Sequence, residues 1–129
     1  MKKSALLSFL FSFFFMPCLD FLWLGTLGGN LYKKELGSLM LTTPIWWPVP
    51  LVYISFAVGI QAFTLGRGVG KALQLGALLG LVIYGVYEFT NYSLVENWSV
   101  IVCFADIAWG IVLCGITAAT TEFVRNKIA

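Results

Sequence analysis

Residues 72–92 read ALQLGALLGLVIYGVYEFTNY, an apolar run whose single charge is Glu88. At about 1.5 Å of rise per residue a helix of this length crosses the roughly 30 Å hydrocarbon core of a bilayer. Gly76, Gly80, Tyr84, Glu88 and Asn91 recur at steps of four, four, four and three, so they line one stripe of that helix. The stripe begins as small-x-x-x-small, which lets another helix approach closely. It ends as phenol, acid and amide. The spacing therefore predicts a membrane helix that buries a packing seam at one end and presents polar groups at the other.

The rest of the chain has the same character. Of 129 residues, 60% are hydrophobic and 11% charged, and the mean hydropathy is +0.90, a balance that excludes an ordinary soluble domain. It allows about four spans of roughly 20 residues, expected at 4–24, 45–65, 72–92 and 100–120, and leaves no room for a separate soluble catalytic domain. The fold class expected is an all-α membrane protein: an up-and-down four-helix transmembrane bundle occupying residues 1–129 as one domain of a cell membrane.

The first span follows Lys2 and Lys3. Its apolar run is too long for a signal-peptide core and lacks a small-x-small cleavage pattern, so it reads as a transmembrane helix. Between the first two spans, residues 30–41 are mixed. Tyr32, Leu36, Leu39 and Met40 follow Asn30 at helical spacing, which fits either a short interfacial helix capped by Asn30 or a plain loop. Pro48 and Pro50 fall in the first turn of the second span, while Trp23, Trp46, Trp47 and Trp98 read as interfacial anchors. The GRGVGK stretch, residues 66–71, resembles a phosphate loop only faintly, and a Gly-rich turn between antiparallel helices accounts for it. Lys2, Lys3, Arg67, Lys71, Arg125 and Lys127 fall on one side, against Lys33 and Lys34 on the other. That six-to-two asymmetry places both termini in the cytoplasm.

Polar side chains inside the spans are the candidate site. Asp20, Glu88, Asn91 and Asp106 lie in or at the edge of three different helices, and an intramembrane carboxylate costs about 2.5–3.5 kcal/mol at mid-membrane. With the topology above, Asp20 and Asp106 sit about 10 Å below the outer helix ends and Glu88 about 6 Å. One layer therefore holds all three acids. Cys103, Asp106 and Gly110 share a face of the fourth helix with Trp109 beside it, and Pro17, Asp20 and Leu24 share one of the first. These faces are expected to meet around a polar pocket that opens outward, with Tyr84 and Trp109 in its wall. No Lys or Arg lies within a span, so at least one acid is expected to keep its proton unless a cation is bound or Lys33 or Lys34 reaches down from above.

The segments LDFLWLG (residues 19–25), YKKELGSL (32–39), GALLGLVIYGVYEFTNYSL (76–94) and DIAWG (106–110) together resemble the bacterial domain-of-unknown-function 2177 family of small integral membrane proteins. The resemblance implies a four-helix membrane protein and no particular activity. In that family the third-helix acid is often Asp in a Tyr-Asp-Leu-Thr-Asn context. Here it is Glu88 in Tyr-Glu-Phe-Thr-Asn, a longer arm that argues against a strict metal geometry.

Chemistry is limited by what is missing. The chain has no His, the commonest general base and metal ligand, and its three separated cysteines, Cys18, Cys103 and Cys114, suit apolar packing, with a Cys18–Cys103 disulfide as a minor alternative. No metal and no cofactor are expected. A net charge of +2 with scattered basic residues gives no nucleic-acid footprint. Three functions remain: a carrier or binding protein for a proton, cation or polar small molecule; a lipid-directed membrane enzyme or enzyme subunit, which lacks an evident nucleophile; and a scaffold within a larger complex. The bilayer is the expected partner in all three, and a carrier with so few helices would dimerise.

Overall fold

A computed structural model describes residues 2–129, with helices α1 (Lys2–Gly25), α2 (Leu27–Leu36), α3 (Val49–Phe63), α4 (Val69–Leu94) and α5 (Val100–Ile128), a short 3-10 turn at Gly37–Leu39, and no strand among the described residues. Among the described residues three helices are long and apolar enough to cross a membrane: α1, α4 and α5. The fourth apolar helix is shorter than the 45–65 span anticipated. α3 has 15 residues, about 22 Å of rise against a hydrocarbon core of roughly 30 Å. Pro48 stands at its N-cap and Pro50 in its first turn, where a missing N–H costs least, so the chain before them stays irregular.

The other boundaries follow from local chemistry. Pro17 lies inside α1 and removes one backbone donor, which membrane helices tolerate. Thr26 ends α1 by donating its hydroxyl to the carbonyls of Leu22 (2.7 Å) and Trp23 (3.3 Å). The following segment is helical, as one of its two readings held, but Asn30 does not cap it. α2 begins three residues earlier, and the Asn30 amide instead donates back to the Thr26 carbonyl at 3.3 Å. Gly66 and Gly68 take φ of +99° and +96° between α3 and α4, a turn that L side chains resist. Ser99 caps α5 by accepting from the N–H of Val102 at 3.2 Å. α5 runs eight residues past the expected end at 120, since Arg125 and Lys127 suit the negative end of a helix dipole.

The tightest seam joins α4 to α5. A Cβ on Gly76 would enter the Cys114 carbonyl and the Ala118 methyl, one on Gly80 would enter the Gly110 carbonyl, and one on Gly110 would strike the Tyr84 ring. These backbones touch because nothing projects between them. α5 also carries the largest share of the buried residues, including Val102, Cys103, Asp106, Leu113, Cys114 and Thr117. Met16 of α1 and Phe56 of α3 pack on Leu113 and Cys114, and Ile60 of α3 meets Ala72 and Ala118. α3 leans on α1 and touches α4 only lightly.

The seam gives a direct test. Gly80→Ala should lower thermal stability in detergent by about 1–3 kcal/mol, because the added methyl overpacks backbone against backbone. Gly85→Ala, where an added Cβ meets nothing, should leave stability unchanged or raise it by up to about 1 kcal/mol through helix propensity. Equal effects at the two positions would contradict the seam.

Candidate functional site

The α4–α5 register sets Glu88 and Asp106 side by side. Glu88 is fully buried and Asp106 is 8% exposed, and their carboxyl groups lie within hydrogen-bonding reach of each other. Glu88 Oε1 accepts from the Trp98 indole N–H at 2.9 Å, while Oε2 is buried without a hydrogen-bond partner. Cys103 donates its thiol to the Glu88 backbone carbonyl at 3.5 Å. Asp106 Oδ1 accepts from the Tyr32 hydroxyl, which α2 brings down over the bundle end. The Tyr32 oxygen in turn accepts from the Trp23 indole N–H at 2.9 Å. α2 is held in place by a second bond, from the Ser99 hydroxyl to Glu35 Oε1 at 2.7 Å.

Asp20 belongs to a neighbouring but separate group. Its Oδ1 accepts from the Trp109 indole N–H at 2.8 Å and its Oδ2 from the Tyr53 hydroxyl at 2.6 Å. Trp109 stacks on Trp23 with ring centroids 5.0 Å apart and planes 6° from parallel, so the hydrogen bonds of Asp20 and, through Tyr32, of Asp106 run to the two members of one indole pair. Tyr84 packs its ring on Gly110 and against Phe56, with centroids 6.1 Å apart. Asn91 lies one helical step beyond Glu88 and is half-buried.

The donors identified for these three acids are indoles, phenols and the Cys103 thiol, none of them charged. Among the described residues none of the three forms an ion pair with Lys or Arg, and Lys33 and Lys34 are exposed. The simplest escape from an uncompensated acidic layer is therefore not taken. Burial first, and then the Asp106 carboxylate, push the Tyr32 phenol well above its usual range, which keeps it a hydrogen-bond donor at any ordinary pH. Beside the acids lies a cleft of about 200 Å³ lined by Tyr32, Leu36, Met40, Tyr87, Trp98 and Asp106. The three cysteines are free, Cys18 exposed and Cys103 and Cys114 buried, so Cys18 and Cys103 are not bridged. Among the described residues no group of three His, Cys, Asp or Glu side chains is placed to hold a metal ion.

Several contributors were not anticipated. Trp23 and Trp98 read as interfacial anchors, yet each spends its N–H inside the network. Tyr32 and Tyr53 were not singled out for hydrogen bonding to the acids. The usable signal was that indole and phenol groups sit at the same depth as acids lacking cations, and buried Trp and Tyr polar atoms find partners.

A second charged cluster lies at the α3–α4 turn. The consecutive N–H groups of Gly66, Arg67 and Gly68 all donate to Glu122 Oε2, at 2.8, 3.0 and 2.9 Å, and Arg125 Nε donates to Glu122 Oε1 at 2.8 Å. The glycine-rich stretch is thus an anion nest, filled by the chain's own carboxylate. This gives the faint phosphate-loop likeness its physical basis and ties α5 to the turn.

The family described as "Predicted membrane protein (DUF2177)" matches residues 5–123, and the chain belongs to that family. No curated protein and no solved structure matches it.

The nest predicts a structural role for Glu122. Glu122→Ala leaves three N–H donors and a guanidinium without their acceptor, and should lower thermal stability by about 1–3 kcal/mol while exposing the Gly66–Gly68 turn to protease. Glu122→Gln, which keeps one acceptor oxygen, should lose less. An unchanged melting temperature for Glu122→Ala would show that water replaces the carboxylate at no cost.

Proposed function

Starting from membership of this membrane-protein family, we propose that the chain is a small-molecule binding protein or carrier whose acidic layer takes a cation in exchange for a proton. Residues 1–129 would form one four-pass domain in the bacterial inner membrane, with both termini cytoplasmic and the acids toward the outer face. The six-to-two distribution of basic residues favours that orientation. For the second pass, the residues flanking α3 complete the span. Trp46 and Trp47 are 61% and 75% exposed, as an aromatic belt requires, and local thinning of the bilayer absorbs the remaining mismatch.

The observation that carries the reading is Glu88. It is a fully buried carboxyl with one oxygen unpartnered, it adjoins Asp106, and it has no basic residue paired to it. Two adjacent acids in a low-dielectric site do not both stay ionised. A proton held between them satisfies the pair when the site is empty. A cationic ligand arriving through the cleft replaces that proton. Trp98 holds Oε1 and so fixes the direction of Oε2, and Tyr32 does the same for Asp106. The rings of Tyr32, Tyr87 and Trp98 offer their faces to a cation. Asp20, Tyr84, Asn91 and Trp109 support this layer: Asp20 orients Trp109, which stacks on the Trp23 that orients Tyr32. A transport path through so few helices calls for a homodimer or a larger complex.

Exchange of a proton for a cation fixes the sign of the pH dependence. Apparent affinity for tetramethylammonium should rise roughly tenfold per pH unit while the pair is protonated and then level off. The cation should stabilise the purified protein by about 2.7 kcal/mol at a concentration a hundred times its Kd. Asp106→Asn and Glu88→Gln should each abolish both effects. If the two variants retain full pH-dependent stabilisation, the acids are a packing cluster, and a scaffolding role takes precedence.

A further inference from the structure

We propose that the natural ligand is an amphiphile, with a cationic head in the cleft at Asp106, backed by the buried Glu88, and one alkyl chain lying between α3 and α4. This rests on the acidic-site reading above and names the ligand class for it. The argument begins with α3. It is too short to match its neighbours in height and is poorly knitted to α4, and an apolar fissure of about 360 Å³ opens between them, lined by Val52, Phe56, Ile83, Tyr84 and Tyr87. Further along the same pair lies a second apolar fissure of about 390 Å³, lined by Phe63, Leu75, Leu78, Leu79 and Val82.

Tyr87 connects the two environments. Its ring is a wall of the upper fissure and also of the acid cleft, where it meets Trp98 edge to face at 6.1 Å. One aromatic side chain therefore stands between a largely aromatic and aliphatic cleft with a single acid, Asp106, in its wall and a wholly apolar slot. At roughly 30 Å³ for a water-sized group, the upper slot has room for on the order of ten methylenes. The head is selected by charge. Among the described residues the acids have no Lys or Arg paired to them, so a phosphate or carboxylate head is repelled, whereas an ammonium head gains Asp106, the charge of the Glu88–Asp106 pair behind it and the aromatic lining of Tyr32, Tyr87 and Trp98. A ligand with both parts enters sideways from the bilayer rather than from water, which suits a cleft roofed by α2 and tied by Tyr32 and the Ser99–Glu35 bond.

The test uses the full chain in nanodiscs of uncharged glycolipid and two probes, tetramethylammonium and decyltrimethylammonium. Affinity is read from ligand-induced thermal stabilisation. The decyl probe should bind at least tenfold more tightly. Ile83→Trp and Val52→Trp fill the slot from positions that are 37% and 47% exposed, where added bulk does not enter the core. Each should bring the decyl probe back to within about threefold of the tetramethylammonium value and leave tetramethylammonium unchanged. Ile83→Ala, which widens the slot, should preserve the preference and shows that the Trp effect is occlusion. Equal affinities of the two probes in the parent protein, or a decyl preference that survives both Trp variants, overturns the chain-binding slot and leaves the acidic site standing. A decyl probe that binds Glu88→Gln as tightly as the parent overturns the cationic head. Failure of tetramethylammonium to bind at any pH overturns the acidic-site reading itself.

Discussion

The contact of α4 with α5 at Gly76, Gly80 and Gly110 is the constraint on which the rest of the molecule depends. Hydrophobic burial does not drive helices together inside lipid, because the alternative surroundings are equally apolar. Close backbone approach supplies the dispersion contacts instead, and it also fixes register. With Gly80 on the Gly110 carbonyl and Gly110 under the Tyr84 ring, the next two turns of α4 bring Glu88 against Cys103 and Asp106. The acidic pair is a consequence of where the glycines fall.

Once placed there, the acids are satisfied in an unusual way. Trp98, Tyr32, Trp109 and Tyr53 supply hydrogen bonds without supplying charge. Each donor is itself held by packing or by a further bond, as in the run from Trp23 through Tyr32 to Asp106. Such an arrangement orients the carboxyl groups without pairing them to a fixed positive charge, which is the property the proposed cation exchange uses. A lysine at the same place would stabilise the pair permanently and close the site to cations.

The parts of this structure legible from the sequence were those with strong periodicity. The stripe from Gly76 to Glu88 identified the α4 seam because its members recur every fourth residue and all face one partner. Glu88 and Asp106 were legible only as members of one layer with Asp20, from similar depths on antiparallel helices, and the sequence held nothing that set that pair apart from Asp20. The extent of α3 was not legible, since an apolar run bounded by prolines carries no mark of where helix gives way to irregular chain. Nor were the roles of Trp23 and Trp98, because composition alone cannot separate an indole that anchors at the interface from one whose N–H points inward. The Glu122 nest was hidden for a different reason. Its donors are backbone groups, and a turn of Gly66, Arg67 and Gly68 records in its sequence the freedom to adopt positive φ but not the anion it will enclose.

The two buried glutamates make the argument for function by contrast. Both are fully buried, and both cost free energy to remove from water. Glu122 recovers that cost with three backbone N–H groups and the Arg125 guanidinium, so both its oxygens are engaged. Glu88 has one indole on one oxygen, and the other has no donor but faces the Asp106 carboxyl, with which it can share a proton. The same chain, at the other end of the same α4–α5 pair, therefore shows what a purely structural buried glutamate looks like. A proton shared with Asp106 is what completes Glu88, and a proton, unlike the fixed donors around Glu122, can be exchanged. The proposed replacement of that proton by a cation uses this difference, because it requires an acid that is well oriented and not paired to a fixed charge.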